Sequence, residues 1–204
     1  MPESNHNNRL ETFCDGVFAI ALTLLIIDIK IPSTATINSS VDFWQVLKHM
    51  IPSISAFVLS FFIIFITWVN HHNTLKLVHK SSGSFIYANG FLLLSVVIMP
   101  FPTSLLGEYV LSDHAEPSVI LFNAVLASQA IGWILITRTA LSNQLYHSEK
   151  ARLQIKINGL NGSYAFVLYS LFAMLAIWFP LTIAILTTIT WIFWLIYGIN
   201  IKDE

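Results

Sequence analysis

Charge is what this chain has least of. Only 10% of its 204 residues are Asp, Glu, Lys or Arg, against roughly a quarter in an ordinary soluble domain. That leaves too little polar surface to hold the chain in water and excludes a soluble globular protein. The net charge is −1, so no excess of one sign draws it to nucleic acid. A single cysteine, Cys14, excludes an intramolecular disulfide framework. Hydrolase and kinase motifs are missing, which reads as a protein that is not an enzyme and uses no cofactor. His71 and His72 invite a metal, but neighbours on a helix point about 100° apart. No second His, Cys or carboxylate cluster has ligand spacing. Low-complexity tracts, internal repeats and an arginine-rich voltage-sensor helix are also lacking.

What is there is apolar. Hydrophobic residues make up 55% of the chain, and mean hydropathy is +0.71. Six runs approach the ~20 residues that cross a ~30 Å hydrocarbon core. They lie at about 9–30, 44–70, 85–106, 118–136, 160–178 and 180–199. Helix is the default, because a segment in lipid must satisfy its own backbone. The expectation is an all-α membrane protein, one domain over residues 1–204, with short tails. The first run, Phe13 to Ile29, exceeds the roughly 7–15 residues of a signal-peptide core and reads as a retained helix. Pro180 fits a first helical turn, so the last two helices form a tight hairpin. Residues Ser40 to Lys48 could open the second run with a short interfacial helix, Trp44 sitting at headgroup level.

Lysine and arginine set the orientation. With the N-terminus inside, the inner segments hold Arg9, Lys76, Lys80, Arg138, Lys150, Arg152, Lys156 and Lys202; the outer ones hold Lys30 and Lys48. Both termini are therefore expected in the cytoplasm. The basic 4–5 loop is most simply this signal, with lipid headgroup binding a further use.

Chemistry concentrates in the first helix. Asp15 lies inside the apolar run, where a carboxylate costs roughly 2.5–3.5 kcal/mol at the bilayer centre and less near the interface. It needs a protein partner. Arg9 is six residues away and off its face. The end of the second helix lies on the same side of the membrane and offers Trp68, Asn70, His71 and His72. A network of Arg9, Phe13, Cys14 and Asp15 with that cluster is expected to brace the inner end of helix 1; a hydrated helix start is the plainer reading. The histidines are also candidates for a pH response, since an unperturbed histidine titrates near 6.5. On a separate face, Ile20, Thr23, Leu24 and Ile27 fall within a stripe roughly 100° wide. Residue types alone fit lipid contact or core packing there. Gly16 with Ala19 permits close helix packing.

The segment Arg9-x-x-x-Phe13-Cys14-Asp15-Gly-Val-Phe-Ala-Ile20-Ala-Leu-Thr23-Leu-Leu resembles the signature of the transmembrane protein 175 potassium-channel family, Arg-x-x-x-Phe-Ser-Asp at the start of the first helix. Trp68-Val-Asn70-His71-His72 resembles prokaryotic members at the end of helix 2. Cys14 stands where the family has serine and is a weaker hydrogen bonder. The resemblance implies a homotetramer of six-helix subunits in a prokaryotic plasma membrane, with helix 1 of each subunit lining the pore. It implies a principal constriction at Ile20, further layers at Thr23, Leu24 and Ile27, and potassium-preferring conduction with no cofactor beyond the permeant ion. The re-entrant Thr-Val-Gly-Tyr-Gly filter of other potassium channels is absent; Tyr197-Gly198 lacks its preceding residues. Four Ile20 side chains would close the pore by dewetting. Asp28 at the outer mouth would concentrate cations, offset by neighbouring Lys30. The alternative is a proton-coupled transporter using Asp15 and the histidines; the matched broken helices of such transporters are not evident. A non-conducting membrane scaffold is the other alternative.

Overall fold

The computed structural model describes residues 7–30 and 37–200, with side chains throughout except at Asp28 and 197–200. Every named element among the described residues is helical. They are α1 (Asn8–Leu24), continued by a 3-10 segment (Leu25–Asp28), α2 (Ser40–His49), α3 (Ile51–Lys76), α4 (Gly83–Ile98), α5 (Pro100–Tyr109), α6 (Ala115–Ser142), α7 (Glu149–Leu175) and α8 (Pro180–Asn200). Among the described residues, four segments are long and apolar enough to cross a membrane: Asn8–Ile27, Ile51–Lys76, Gly83–Tyr109 and Ala115–Ser142. The expected fifth and sixth spans fall on α7 and α8. The first turns of α7 hold Glu149, Lys150, Arg152 and Lys156, and the described apolar part of α8, Pro180–Ile196, is shorter.

The expected boundaries shift for local reasons. The second run is two helices, broken at Met50. Ser39 caps α2 through the Asp42 N–H, and Pro52 opens α3, because a proline without an N–H suits a first turn. Within α2 no side chain is buried, and Trp44 and Val41 are exposed, as an interfacial helix requires. At its other end α3 continues past Asn70 to Lys76, since His71, Thr74 and Leu75 are buried there. The third run breaks at Met99 before Pro100, which cannot donate to the preceding turn. Helix α7 begins eleven residues before the expected start at 160, where Ser148 accepts the Ala151 N–H. Hydropathy marks the lipid-compatible stretch, and capping residues mark the helix ends.

Helix α6 is the central strut, packed against α4, α5, α7 and α8. Glycines set the closest approaches. A Cβ on Gly132 would lie 2.9 Å from the Leu92 Cα in α4, and one on Gly107 would lie 2.6 Å from the Ser53 Cα in α3. Around these contacts the main core gathers Ile63, Ile64, Val96, Met99, Phe122 and Leu126, with Cys14, Phe18, Ala21 and Leu25 from α1. Its buried hydroxyls pair locally. Ser60 and Thr103 stand 2.6 Å apart, and Thr187 donates to Asn123 at 3.0 Å.

Candidate functional site

Helix α1 has two faces with opposite fates. Cys14, Phe18, Ala21 and Leu25 recur at helical spacing and are buried against α3 and α4. Phe13, Gly16, Ile20, Thr23, Leu24 and Ile27 share another face and are exposed. Ile20 is 60% exposed and Ile27 71%, against 1% for Phe18. A Cβ on Gly16 would meet nothing within 4 Å, so this glycine opens the free face and makes no close packing. The Thr23 hydroxyl donates to the Ile20 carbonyl at 2.8 Å. Its hydrogen is thereby spent on the helix, and its oxygen remains an acceptor.

Behind this face, two matched rows of side chains join α1 to α3. Glu11 and Asp15 are four residues apart on α1; Trp68 and His72 are four apart on α3. The helices pair them in antiparallel register. Trp68 Nε1 donates to Asp15 Oδ1 at 2.8 Å, and His72 Nδ1 stands 3.2 Å from Glu11 Oε1, a close approach without hydrogen-bond geometry that is an ion pair only when the imidazole carries a proton on both nitrogens. The Trp68 and His72 rings stack at 6.0 Å. The carboxylate inside the apolar run thus has a charge-assisted partner. One residue away, His71 faces the core. Its Nε2 lies 2.7 Å from Asn89 Oδ1, while the Asn89 amide donates to the Phe85 carbonyl at 2.7 Å. That fixes Asn89 Oδ1 as acceptor and the histidine proton on Nε2. The His71 ring packs on Phe18, centroids 5.4 Å apart, and so backs the buried face of α1.

Other expected members stand elsewhere. Arg9 is exposed and makes no hydrogen bond or ion pair among the described residues. Asn70 is exposed too, because it lies on the side of α3 turned away from His71. Phe13 is on the free face. Cys14 is buried among apolar side chains, so it acts as a small hydrophobe in place of a hydroxyl. The Asp28 side chain lies outside the described residues. Its neighbour Lys30 pairs with Glu108 at 2.7 Å, which ties the chain just past the C-terminal end of α1 to α5. This bond and the carboxylate charge hold the Lys30 ammonium above its ordinary pKa. A cavity of about 150 Å³ lies beside the pair, lined by Leu25, Ile29, Ser53, Phe57, Thr103 and Ser104 among others. Among the described residues no group of three His, Cys, Asp or Glu could hold a metal ion.

Sequence reasoning missed Asn7, Glu11 and Asn89. Glu11 was within reach, since it shares a face with Asp15 just as His72 does with Trp68. Asn89 had no such signal. Asn7 is buried and donates to the Val78 carbonyl at 2.9 Å, anchoring the start of α1 to the α3–α4 loop.

The model of the family described as endosomal/lysosomal potassium channel TMEM175 matches residues 9–100. Potassium channel Cha6605_3372 of Chamaesiphon minutus is 37% identical over 150 residues, covering 74% of this chain and 73% of that one. Potassium channel B446_29190 of Streptomyces collinus is 40% identical over 141 residues, 66% of each. The crystal structure of a lysosomal potassium-selective channel TMEM175 homolog from Chamaesiphon minutus superposes with a TM-score of 0.81 at 29% identity, covering 94% of this chain and 97% of that one.

Proposed function

The chain belongs to the TMEM175 family, a family of ion channels and not of enzymes, and on that premise we propose that it is a potassium-preferring cation channel whose pore is walled by α1. The whole chain acts as one subunit of a homotetramer with six membrane-crossing segments, α7 and α8 supplying the last two. It sits in a prokaryotic plasma membrane with both termini in the cytoplasm. One observation carries this reading. Helix α1 buries the Cys14, Phe18, Ala21, Leu25 face in its own subunit and leaves the Gly16, Ile20, Thr23, Leu24, Ile27 face uncovered.

Four such faces around an axis give a graded wall. Gly16 leaves room at the inner entrance. Ile20 forms a dry ring, which excludes a hydrated ion until the ring widens. One turn on, each Thr23 presents an oxygen whose proton is already committed to Ile20, a suitable acceptor for a partly dehydrated cation. Leu24 and Ile27 line the outer part. The Glu11–His72 and Asp15–Trp68 pairs act from behind, holding the inner end of α1 against α3. Without a ring of backbone carbonyls, discrimination of potassium from sodium is modest.

The test is potassium and sodium flux in proteoliposomes of the purified protein. Replacing Ile20 with Ala is expected to raise flux by about an order of magnitude and to weaken ion discrimination. Unchanged flux and selectivity would remove Ile20 from the pore. Flux that saturates with substrate and follows an imposed proton gradient would make the protein a transporter.

A further inference from the structure

The basic end of the bundle holds a feature that the pore reading does not use. The α3–α4 and α6–α7 loops meet there in one antiparallel bridge between Val78 and Tyr146. The His79 N–H donates to the Leu145 carbonyl at 3.0 Å, and the His147 N–H to the Leu77 carbonyl at 3.3 Å. These bonds belong to the flanking residues and leave the Val78 carbonyl free. Asn7 takes it. Asn7 is the residue at which α1 begins, yet its side chain makes no capping bond to its own helix. It hangs the helix on the loop pair.

Beside Tyr146 lies an open groove of about 510 Å³, lined by Leu141, Gln144, Tyr146, Arg152, Leu153 and Lys156 and by one carboxylate, Glu149. Gln144 turns the chain into it with a left-handed backbone, φ 51°. Arg152 and Lys156 stand one helical turn apart and present their charges on one side. Glu149 holds Arg152 at 3.0 Å, whereas Lys156 makes no ion pair among the described residues. Leu153 is exposed between the two cations. A soluble anion would use the cations alone. A ligand with a phosphate and an acyl chain uses the cations and the leucines together.

We propose that this groove binds the phosphate headgroup of an anionic phospholipid, its chain lying along Leu153 and Leu141, and that occupancy reaches α1 through Tyr146, the Val78 bridge and Asn7. Basic groups at a membrane surface recognise such headgroups electrostatically. The binding half stands on the groove; the transmission half rests on the channel reading of α1.

Native mass spectrometry of the purified full-length protein reads the binding. The wild type should retain phosphatidic acid in preference to phosphatidylcholine. The double variant Arg152→Gln/Lys156→Gln should retain roughly tenfold less, with excess inorganic phosphate leaving the wild type unchanged. Equal retention by the variant, or displacement by inorganic phosphate, overturns the lipid site. Potassium flux in phosphatidylcholine vesicles, with and without phosphatidic acid, reads the transmission. The lipid should alter wild-type flux and leave that of the double variant unaltered. Asn7→Ala should keep retention and lose the response; where it costs folded protein, Asn7→Asp, which cannot donate, replaces it. A response that survives in the Asn7 variant overturns the route to α1. Absence of all flux with retention intact overturns the channel reading and leaves the lipid site standing.

Discussion

The most apolar stretch of α6 is 56% buried within the subunit, and that of α1 is 22%. Both are long, hydrophobic and nearly free of charge, so hydropathy treats them alike. The difference is what each packs against. Helix α6 is surrounded by α4, α5, α7 and α8 and is completed by its own chain. Helix α1 finishes only one face inside the subunit and offers the other to a partner or to lipid. In a membrane, lipid tails are as apolar as leucine, so an uncovered apolar face costs little until subunits or water meet it. A face on which Gly16 and Thr23 interrupt branched apolar groups is suited to a wall that must sometimes be wetted.

Pairs of substitutions across that divide should behave oppositely. Phe18→Ala empties a site fully buried against His71 and should cost about 3 kcal/mol of stability, read as a lowered melting temperature in detergent. Ile20→Ala, two residues on, should leave melting nearly unchanged and act on flux. Equal destabilisation by both would mean that α1 has no free face. Next comes Gly132→Ala, whose new methyl meets the α4 backbone. It should cost roughly 1–3 kcal/mol, while Gly16→Ala, inside a helix with open space for the methyl, should cost nothing, gain roughly 0.5–1 kcal/mol from helix propensity and reduce conductance. Trp68→Phe keeps an aromatic ring, though a smaller one, and removes the donor to Asp15. A cost of about 1–2 kcal/mol is expected, with altered gating and unchanged ion selectivity; a selectivity change would move Asp15 into the pore. The smallest effect belongs to Lys30→Gln. Its ion pair with Glu108 lies in water, where such pairs add little, and the melting temperature should not move measurably.

Much of this was legible in the residues, and the limits were physical. The apolar runs and the acid within one of them marked a membrane helix with a bracing face. Topology put Asp15 and Trp68 at the same end, and antiparallel packing brings them to 2.8 Å. Arg9 and Asn70 were grouped with that cluster because they are near in sequence, but a helix turns successive residues to different sides. Helix ends were misjudged where capping decided them, as at Ser148 and Pro52. The free face of α1 could not be distinguished from packing by composition, because Ile, Leu and Thr serve both. The Asn7 hook depends on a carbonyl that a loop bridge happens to leave unpaired, and no residue pattern encodes that.

The 3-10 segment that ends α1 adds a rotational consequence. In a 3-10 turn side chains advance ~120° per residue, against ~100° in an α-helix. Over the three steps from Leu24 to Ile27 this brings the two side chains to the same azimuth, one above the other. Rewinding the segment as α-helix would swing Ile27 about 60° from Leu24 and shorten the rise by roughly 0.5 Å per residue. In the proposed pore, a twist confined to one turn would thus change the aperture at Ile27, while the helix before it stays clamped to α3 and α4.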